Sequence, residues 1–312
     1  MPITNPVIII AGPTASGKSS LAIDLALSLD GEVINADSMQ VYNELSILTA
    51  RPNANDSIRV PHHLFGVIPA GQRCSTGRWL EMCMEAIRDV WSRNKLPVLV
   101  GGTGLYFKAL TEGLASIPEI DPEVVKSEQA HYHQIGAQAF RKQLFNVDPT
   151  TASRLPASDI QRLVRASAVF KATGRTLTEW QQQQSPGPAL KANFITVALI
   201  PERDHLYDSI NQRFDAMMKA GAIEEVKALK ALNLDPSLPA MKALGVPDLL
   251  AYVDGQVSLE EATEKSAQRS RNYAKRQLTW LRHQMSADYS LIPPLNEAQK
   301  MEFIDVIGSR IG

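Results

Sequence analysis

The stretch Val7-Ile8-Ile9-Ile10-Ala11-Gly12-Pro13-Thr14-Ala15-Ser16-Gly17-Lys18-Ser19 decides the fold of this 312-residue chain. Its first five residues form an uninterrupted apolar run, mostly β-branched, which is typical of a strand buried on both faces of a sheet. Helical apolar spacing from Lys18 to Leu29 predicts a helix directly after the loop. A strand, a glycine-containing loop and a helix in this order form the usual context of a phosphate-binding loop.

The loop matches the pattern G-x-x-x-x-G-K-[ST], and its candidate phosphate-binding residues are Gly12, Pro13, Thr14, Ala15, Ser16, Gly17, Lys18 and Ser19. In this pattern backbone N–H groups and the helix N-terminus face an anion. Lys18 supplies a positive charge to the terminal phosphate, and the Ser19 hydroxyl suits Mg²⁺. The alternative is a glycine turn with a purely structural role. The motif predicts a phosphate cradle with Mg²⁺ as cofactor.

Three more apolar runs predict strands of the same sheet. Glu32–Ala36 ends in Asp37-Ser38, Leu96–Val100 leads into Gly101–Gly104, and Asn193–Ile200 is followed by Pro201. Strands that alternate with helices predict an α/β fold, here a P-loop NTPase-like doubly wound parallel sheet with a helical insertion domain. Ligands of such a sheet bind at the carboxyl ends of its strands, where these loops fall.

Changes in pattern divide the chain into four segments. Residues 118–185 read as helices broken by prolines and are interpreted as a helical insertion, with a return linker at 181–188. Residues 1–117 and 186–285 then form the two parts of the P-loop core. Residues 286–312 are predicted to be a C-terminal tail packed by Phe303 and Ile307.

Composition excludes several classes of protein. The 32 basic and 33 acidic residues give a net charge of −1, so any nucleic acid must be held by a local basic patch. No apolar run approaches the roughly 20 residues of a membrane helix. Two cysteines cannot form a disulfide framework or a zinc knuckle. We therefore expect a cytoplasmic protein that does not contact a membrane.

The acidic residue nearest to the cradle is Asp37. The strand that ends at Val100 carries no Asp or Glu after it, which argues against an NTP-hydrolysing motor or switch. Beside a phosphate cradle, the Asp37 carboxylate would be a metal ligand or a general base. The alternative is an ordinary helix N-cap before Met39.

Two clusters of cations predict contacts with a phosphodiester backbone. Arg269, Arg271, Lys275, Arg276 and Arg282 lie in a stretch without Asp or Glu, interleaved with aromatic residues. A second cluster, residues 161–165, lies inside the predicted insertion. The alternative is a solvated helix face. A cradle with two such patches favours an enzyme that modifies nucleic acid, over a small-molecule kinase or a nucleic-acid-binding NTPase switch.

Four motifs in order give the chain a specific resemblance. They are Gly12–Ser19, Ile34–Tyr42, Val100–Tyr106 and Tyr273–Trp280, and from Val7 to Arg282 the sequence resembles the bacterial tRNA dimethylallyltransferase family. The resemblance implies transfer of a dimethylallyl group from dimethylallyl diphosphate to N6 of adenosine 37, next to the anticodon, with release of diphosphate. The cradle would then bind diphosphate, although ATP binding there stays open.

The resemblance also implies roles for individual residues. Asp37 would be the catalytic base, Thr103 would help to place the target base, and Arg213 would clamp the diphosphate, with a helix-surface arginine as the alternative. Mg²⁺ would bind at Ser19, and a monomer is expected. The implied contacts with the tRNA anticodon stem-loop are Asp37, Ser38, Met39, Gln40, Gln161, Arg162, Leu163, Val164, Arg165, Lys242, Gly245, Lys275, Arg276, Gln277, Trp280 and Arg282.

One segment departs from the pattern of the family. Val246 stands where the family usually has an aromatic residue after Gly245, and Pro247 is expected to break the helical register. The tRNA contacts near residue 245 are the part of the prediction that this departure affects.

Overall fold

A computed structural model describes residues 3–183 and 187–312 of the chain. The centre of the return linker predicted at 181–188, and with it the boundary between residues 185 and 186, lies outside the described residues.

The core of the molecule is a six-stranded parallel sheet with the strand order β3-β2-β4-β1-β5-β6. Its strands are β1 (Pro6–Ala11), β2 (Gly31–Asn35), β3 (His62–His63), β4 (Leu96–Gly101), β5 (Asn193–Leu199) and β6 (Tyr289–Leu291). The predicted α/β class and parallel sheet are confirmed, and the four predicted strands are β1, β2, β4 and β5. The two edge strands were not predicted.

Both faces of the sheet are buried, which explains the continuous apolar runs. Ile8 and Ile10 pair with Val98 and Val100 of β4 and pack with them against α1 (Lys18–Ser28). Ile9 alternates to the opposite face and is also fully buried. The loops that follow β1, β2 and β4 therefore leave the sheet side by side at its carboxyl end.

Besides α1, the helices surround this sheet or form the insertion. They are α2 (Ala54–Arg59), α3 (Thr76–Ser92), α4 (Gly104–Glu112), α5 (Pro122–Ile135), α6 (Ala137–Val147), α7 (Pro149–Arg154), α8 (Ile160–Thr173), α9 (Leu177–Gln182), α10 (Arg203–Lys219), α11 (Ala222–Ala231), α12 (Val246–Val253), α13 (Leu259–Gln284) and α14 (Glu297–Ile311), with a 3₁₀ turn at Ala240–Lys242. No described helix has the length and apolarity needed to cross a membrane.

Two expectations about the second half of the chain need correction. Pro247 does not break a helix: it lies in the first turn of α12, where its missing N–H has no intrahelical partner to lose. The predicted C-terminal tail is part of the folded sheet unit, because β6 extends the sheet and α14 packs against the hydrophobic core of the sheet. Phe303 and Ile307 are buried there, as predicted.

Contacts within the chain separate two compact units. One unit comprises Met1–Thr111 and Leu190–Gly312, and the other comprises Glu112–Ala189. The second unit is helical in its described residues and has a core of its own around Phe140, Leu144 and Leu163. It also has its own polar anchor, since buried Asp148 accepts hydrogen bonds from Thr151 and Thr178.

Candidate active site

The loop between β1 and α1 adopts the geometry of a phosphate cradle. Gly17 caps α1 with a left-handed φ of 81°, a conformation that favours glycine. Lys18 folds back so that its ammonium group donates to the carbonyl of Pro13 at 3.1 Å. The Ser16 hydroxyl is buried and has no hydrogen-bond partner in the described part of the chain. An anion in this loop would give that hydroxyl an acceptor.

A second cation reaches the loop from α10. The guanidinium of Arg213 donates to the hydroxyl of Thr14, so the arginine is turned toward the cradle and is half-buried. Burial lowers the pKa of Arg213 from its ordinary value, and the nearby Asp37 carboxylate opposes that change. Arg213 is therefore turned toward the cradle loop, and its role there stays a prediction.

Lys18, Arg213 and Asp37 lie close enough to affect one another electrostatically. Burial lowers the pKa of Lys18 to about 8, with Asp37 raising it and Arg213 lowering it further. Two partly desolvated cations beside one carboxylate are an arrangement that favours a multiply charged anion.

Asp37 follows β2 at the carboxyl end of the sheet, in a tight polar turn. One of its oxygens, Oδ1, accepts from the N–H of Met39 at 2.9 Å, and its own N–H donates to Asn35 at 2.8 Å. No helix begins here, so Asp37 caps a turn and not a helix. The second carboxylate oxygen has no hydrogen bond among the described residues and is available to a ligand.

Thr103 from the loop after β4 lies next to that turn. Its hydroxyl accepts from the N–H of Ser38 at 3.0 Å and also contacts the hydroxyl of Tyr273 on α13. Burial raises the pKa of Tyr273, and the Asp37 carboxylate raises it further. Asp37, Thr103 and Tyr273 therefore lie close together. Tyr273 lies in the predicted motif Tyr273–Trp280, but no role was predicted for it.

One face of α13 packs against the same loops. The amide of buried Gln277 accepts from the Thr14 N–H at 2.9 Å and donates to the carbonyl of Gly102 at 3.0 Å. The ring of Trp280 lies so close to Gly104 that a Cβ there would be 2.3 Å from it. Gln277 and Trp280, both predicted to contact tRNA, thus have protein contacts of their own.

The cations of α13 divide into paired and unpaired groups. Arg269 is paired with buried Asp248 at 3.2 Å, and Arg271 donates to Asn211 at 2.7 Å. Lys275, Arg276 and Arg282 are exposed and have no ion pair within residues 3–183 and 187–312. Lys275 and Arg276 also line an open groove of about 580 Å³, whose other lining residues are Asn272, Thr279, Trp280, His283 and Gln284.

The remaining predicted tRNA contacts differ in accessibility. In α8, Gln161, Arg162 and Arg165 are exposed. Leu163 and Val164 are buried in the core of the helical unit, so their side chains do not face solvent.

In the sheet unit, the residues near position 245 and in the turn after Asp37 also differ. Lys242 is exposed, whereas Gly245 is buried at the start of α12 with a φ of 90°. Met39 is half-buried, and Gln40 uses its amide to donate to the carbonyls of Thr49 and Ala50.

An anchor of the loop after Asp37 was not predicted. The Glu225 carboxylate of α11 accepts from the backbone N–H groups of Ser46, Ile47 and Leu48 at 2.7 to 2.9 Å. No signal in the sequence links a helix carboxylate to a loop 177 residues away. Tyr273, in contrast, was detectable because it lies in the stretch that carries the basic cluster.

Comparisons with known proteins identify the family of this chain. The chain matches the IPP transferase family over residues 40–284 and the isopentenyl transferase family over residues 5–60. It is 50% identical to a tRNA dimethylallyltransferase of Rhodospirillum centenum (92% of this chain, 91% of the relative) and 49% identical to one of Hyphomonas neptunium (90% and 89%).

Solved structures give the same result. The full-length tRNA isopentenylpyrophosphate transferase of Bacillus halodurans superimposes with a TM-score of 0.71 at 33% identity, covering 99% of this chain and 97% of that one. A eukaryotic dimethylallyltransferase acting on tRNA gives a TM-score of 0.76 at 28% identity, covering 89% and 70%. This chain therefore belongs to the IPP transferase family, the family of the tRNA dimethylallyltransferases.

Proposed function

We propose that this chain transfers a dimethylallyl group from dimethylallyl diphosphate to N6 of adenosine 37 in tRNA and releases diphosphate. The proposal is based mainly on two cations and one carboxylate that lie near one another at the carboxyl end of the sheet. Lys18 and Arg213 lie at the cradle, and Asp37 lies within their electrostatic reach. An alkyl transfer from a diphosphate needs both kinds of group.

The cations would hold the leaving group. Diphosphate departs with the electron pair of the C1–O bond, so negative charge grows on its oxygens as the bond breaks. Lys18, Arg213 and the N-terminus of α1 would stabilise that charge, and the buried Ser16 hydroxyl would donate to it. The cations are held in place before the donor binds, through Pro13 and Thr14.

The carboxylate would accept the proton. As the N6 nitrogen forms its bond to C1 of the allyl group, it must lose one hydrogen as a proton. Asp37 has one oxygen fixed by Met39 and one without a partner among the described residues, and we assign the proton to the second oxygen. Thr103, fixed by Ser38, would place the base beside it.

Mg²⁺ is part of the proposal, with Ser19 as its protein ligand. No group of three or more His, Cys, Asp or Glu side chains suited to a metal occurs in the described residues. Mg²⁺ commonly binds through one or two protein oxygens together with substrate phosphates, and the exposed Ser19 hydroxyl at the end of the cradle fits that mode. The ion would add positive charge to the departing diphosphate.

Contacts with RNA would come from both units. The unpaired cations Lys275, Arg276 and Arg282 of α13 suit the phosphate backbone of the anticodon stem-loop, as do Arg162 and Arg165 of α8. A stacked adenine must leave its loop before its N6 can reach the donor, which costs a few kcal/mol that such contacts offset. We propose residues 118–185 as the tRNA clamp, 1–117 and 186–285 as the catalytic core, and a cytoplasmic monomer as the active form.

The test is a transfer assay with a choice of donor. Unmodified tRNA is incubated with the protein and either labelled dimethylallyl diphosphate or labelled ATP. We expect label from the dimethylallyl group on the tRNA and none from ATP. Label transferred from ATP alone would identify a kinase and contradict the proposal.

A further inference from the structure

Gln277 lies on the buried side of α13, the helix that also carries the exposed cations Lys275, Arg276 and Arg282. Its side chain is only 6% exposed, and both ends of its amide are bonded to backbone groups of other elements. The carbonyl oxygen Oε1 accepts from the Thr14 N–H at 2.9 Å, and the nitrogen Nε2 donates to the Gly102 carbonyl at 3.0 Å. A glutamine side chain carries an acceptor oxygen and a donor NH₂ group on the same amide, so it can bond to both loops at once.

The first bond fixes the donor loop. Thr14 is held by Gln277 through its N–H and by Arg213 through its hydroxyl. The orientation of the Thr14 peptide is therefore set by α13 and α10 before any ligand binds. Ala274 and Leu278, which flank Gln277 on the same helix, also pack with Ala15 of the loop.

The second bond fixes the loop on the acceptor side. A Cβ on Gly102 would lie 2.0 Å from Gln277 Nε2, so the glutamine fills the space beside this residue. The next residue, Thr103, holds the turn that carries Asp37 through the Ser38 N–H. The Gln277 amide thus connects two loops. The loop after β1 is proposed to hold the diphosphate, and the loop after β4 is proposed to place the adenine that is modified.

We propose that Gln277 is a positioning residue that sets the separation between the leaving diphosphate and the attacking N6. This inference rests on the proposed function, because it assigns the two loops to donor and acceptor. Displacement at carbon requires the incoming and leaving groups to be aligned, and a misplacement of about 1 Å can cost about 10²-fold in rate. Gln277 acts through the loops and touches neither substrate.

Two variants test the bridge. Gln277→Asn keeps the amide but is one methylene too short to reach both loops. Gln277→Glu keeps the length and the acceptor, but it turns a carboxylate oxygen toward the Gly102 carbonyl in place of the donor. Gln268→Asn and Gln268→Glu are the matched controls, since Gln268 is an exposed glutamine of the same helix.

The kinetic measurement is a single-turnover transfer rate with both substrates saturating, beside the separate affinities for tRNA and donor. We expect both Gln277 variants to lose at least about 10-fold in rate while tRNA affinity stays within about 2-fold of wild type. Both Gln268 controls should be unchanged. An unchanged rate, or a loss of tRNA affinity with an unchanged saturated rate, would overturn the inference and return Gln277 to an RNA contact or a core residue.

A second measurement is independent of activity. Hydrogen exchange at the Thr14 amide should be slow in wild type and much faster in Gln277→Asn, because the variant removes its acceptor. Equal protection in the two proteins would overturn the inference. If wild type transfers no dimethylallyl group, the proposed function fails, and the exchange result still decides whether Gln277 holds the donor loop.

Discussion

At Asp37 the two carboxylate oxygens have different environments. Oδ1 holds the turn through Met39, whereas the other oxygen has no hydrogen bond in the described chain. An asparagine can keep the first hydrogen bond with its carbonyl oxygen but cannot accept a proton. We expect Asp37→Asn to fold and bind tRNA normally and to lose about 10²- to 10⁴-fold in transfer rate. Near-normal turnover would leave Asp37 with only the turn-capping role.

Lys18 lies at the cradle, where we propose that the diphosphate of the donor binds. Lys18→Ala removes one of the two cations at the cradle and should weaken the binding of dimethylallyl diphosphate, measured by calorimetry, while tRNA affinity stays close to normal. Lys219, an exposed lysine in the last turn of α10, offers a matched Lys219→Ala control. Equal losses for both ligands in Lys18→Ala would indicate a collapsed loop instead of a missing positive charge.

Among the elements, α13 packs some of its side chains against the loops of the sheet and exposes others. Gln277 and Trp280 lie against the loops of the sheet, and Lys275, Arg276 and Arg282 are exposed. Replacing these three cations by alanine should lower tRNA affinity without changing donor affinity. Each cation–phosphate pair that the substitutions remove should reduce the slope of log K against log salt by about 0.7 to 0.9.

The control for this helix is Lys265→Ala, because Lys265 is exposed near the other end of α13 and is paired with Glu261. We expect its salt dependence to equal that of wild type. A triple variant with an unchanged salt slope would show that this face of α13 is only solvated.

The junction of β2 and α3 supplies a prediction about pH. Buried Glu32 accepts from His63 and Arg93 at 2.6 and 2.8 Å. Burial raises the pKa of Glu32, but the hydrogen bonds from Arg93 and His63 bring it below the ordinary value of 4.5. Ionised Glu32 therefore stabilises the folded protein at pH values above 4.5. This stabilisation is lost as the pH falls through the lowered pKa of Glu32.

Arg93→Ala should lower the free energy of unfolding near neutral pH, because it removes the guanidinium that donates to buried Glu32. The difference from wild type should shrink in acid, where protonated Glu32 no longer attracts the guanidinium. Urea unfolding of wild type and variant, at neutral pH and in acid, measures this difference in the free energy of unfolding. Arg88→Ala, at an exposed position of α3, is the control. A destabilisation that does not change with pH would contradict this account of Glu32.

Strands with a continuous apolar run could be predicted from the sequence. Very short strands and contacts between residues far apart in the chain could not. The apolar runs at β1, β2, β4 and β5 identified the centre of the sheet because both of its faces are buried. β3 has two residues and β6 has three, which is too few for a strand pattern to be recognised in the sequence. The cradle was readable from a local motif, whereas Gln277 and Glu225 act across 263 and up to 179 residues, distances at which a single sequence carries no pairing signal.

For the whole molecule, the division into two units leads to a prediction about the helical one. The unit Glu112–Ala189 has its own core, so substitutions on its surface should leave the sheet unit intact. We expect Arg162→Ala with Arg165→Ala to reduce prenylation of an anticodon stem-loop far more than it reduces donor affinity. Lys142→Ala, an exposed cation on α6 of the same unit, should change neither. Full prenylation by the double variant would leave these two arginines without a role in RNA binding.

At the scale of the whole molecule, we propose that the protein attaches one dimethylallyl group to one nucleotide of the tRNA. The most direct measurement digests the tRNA after reaction with unlabelled dimethylallyl diphosphate, locates the added mass by mass spectrometry and quantifies the released diphosphate. We expect one dimethylallyl group, on the adenosine at position 37, with one diphosphate released for each group attached. Mass added at another nucleotide, or diphosphate released without any added mass on the tRNA, would contradict it.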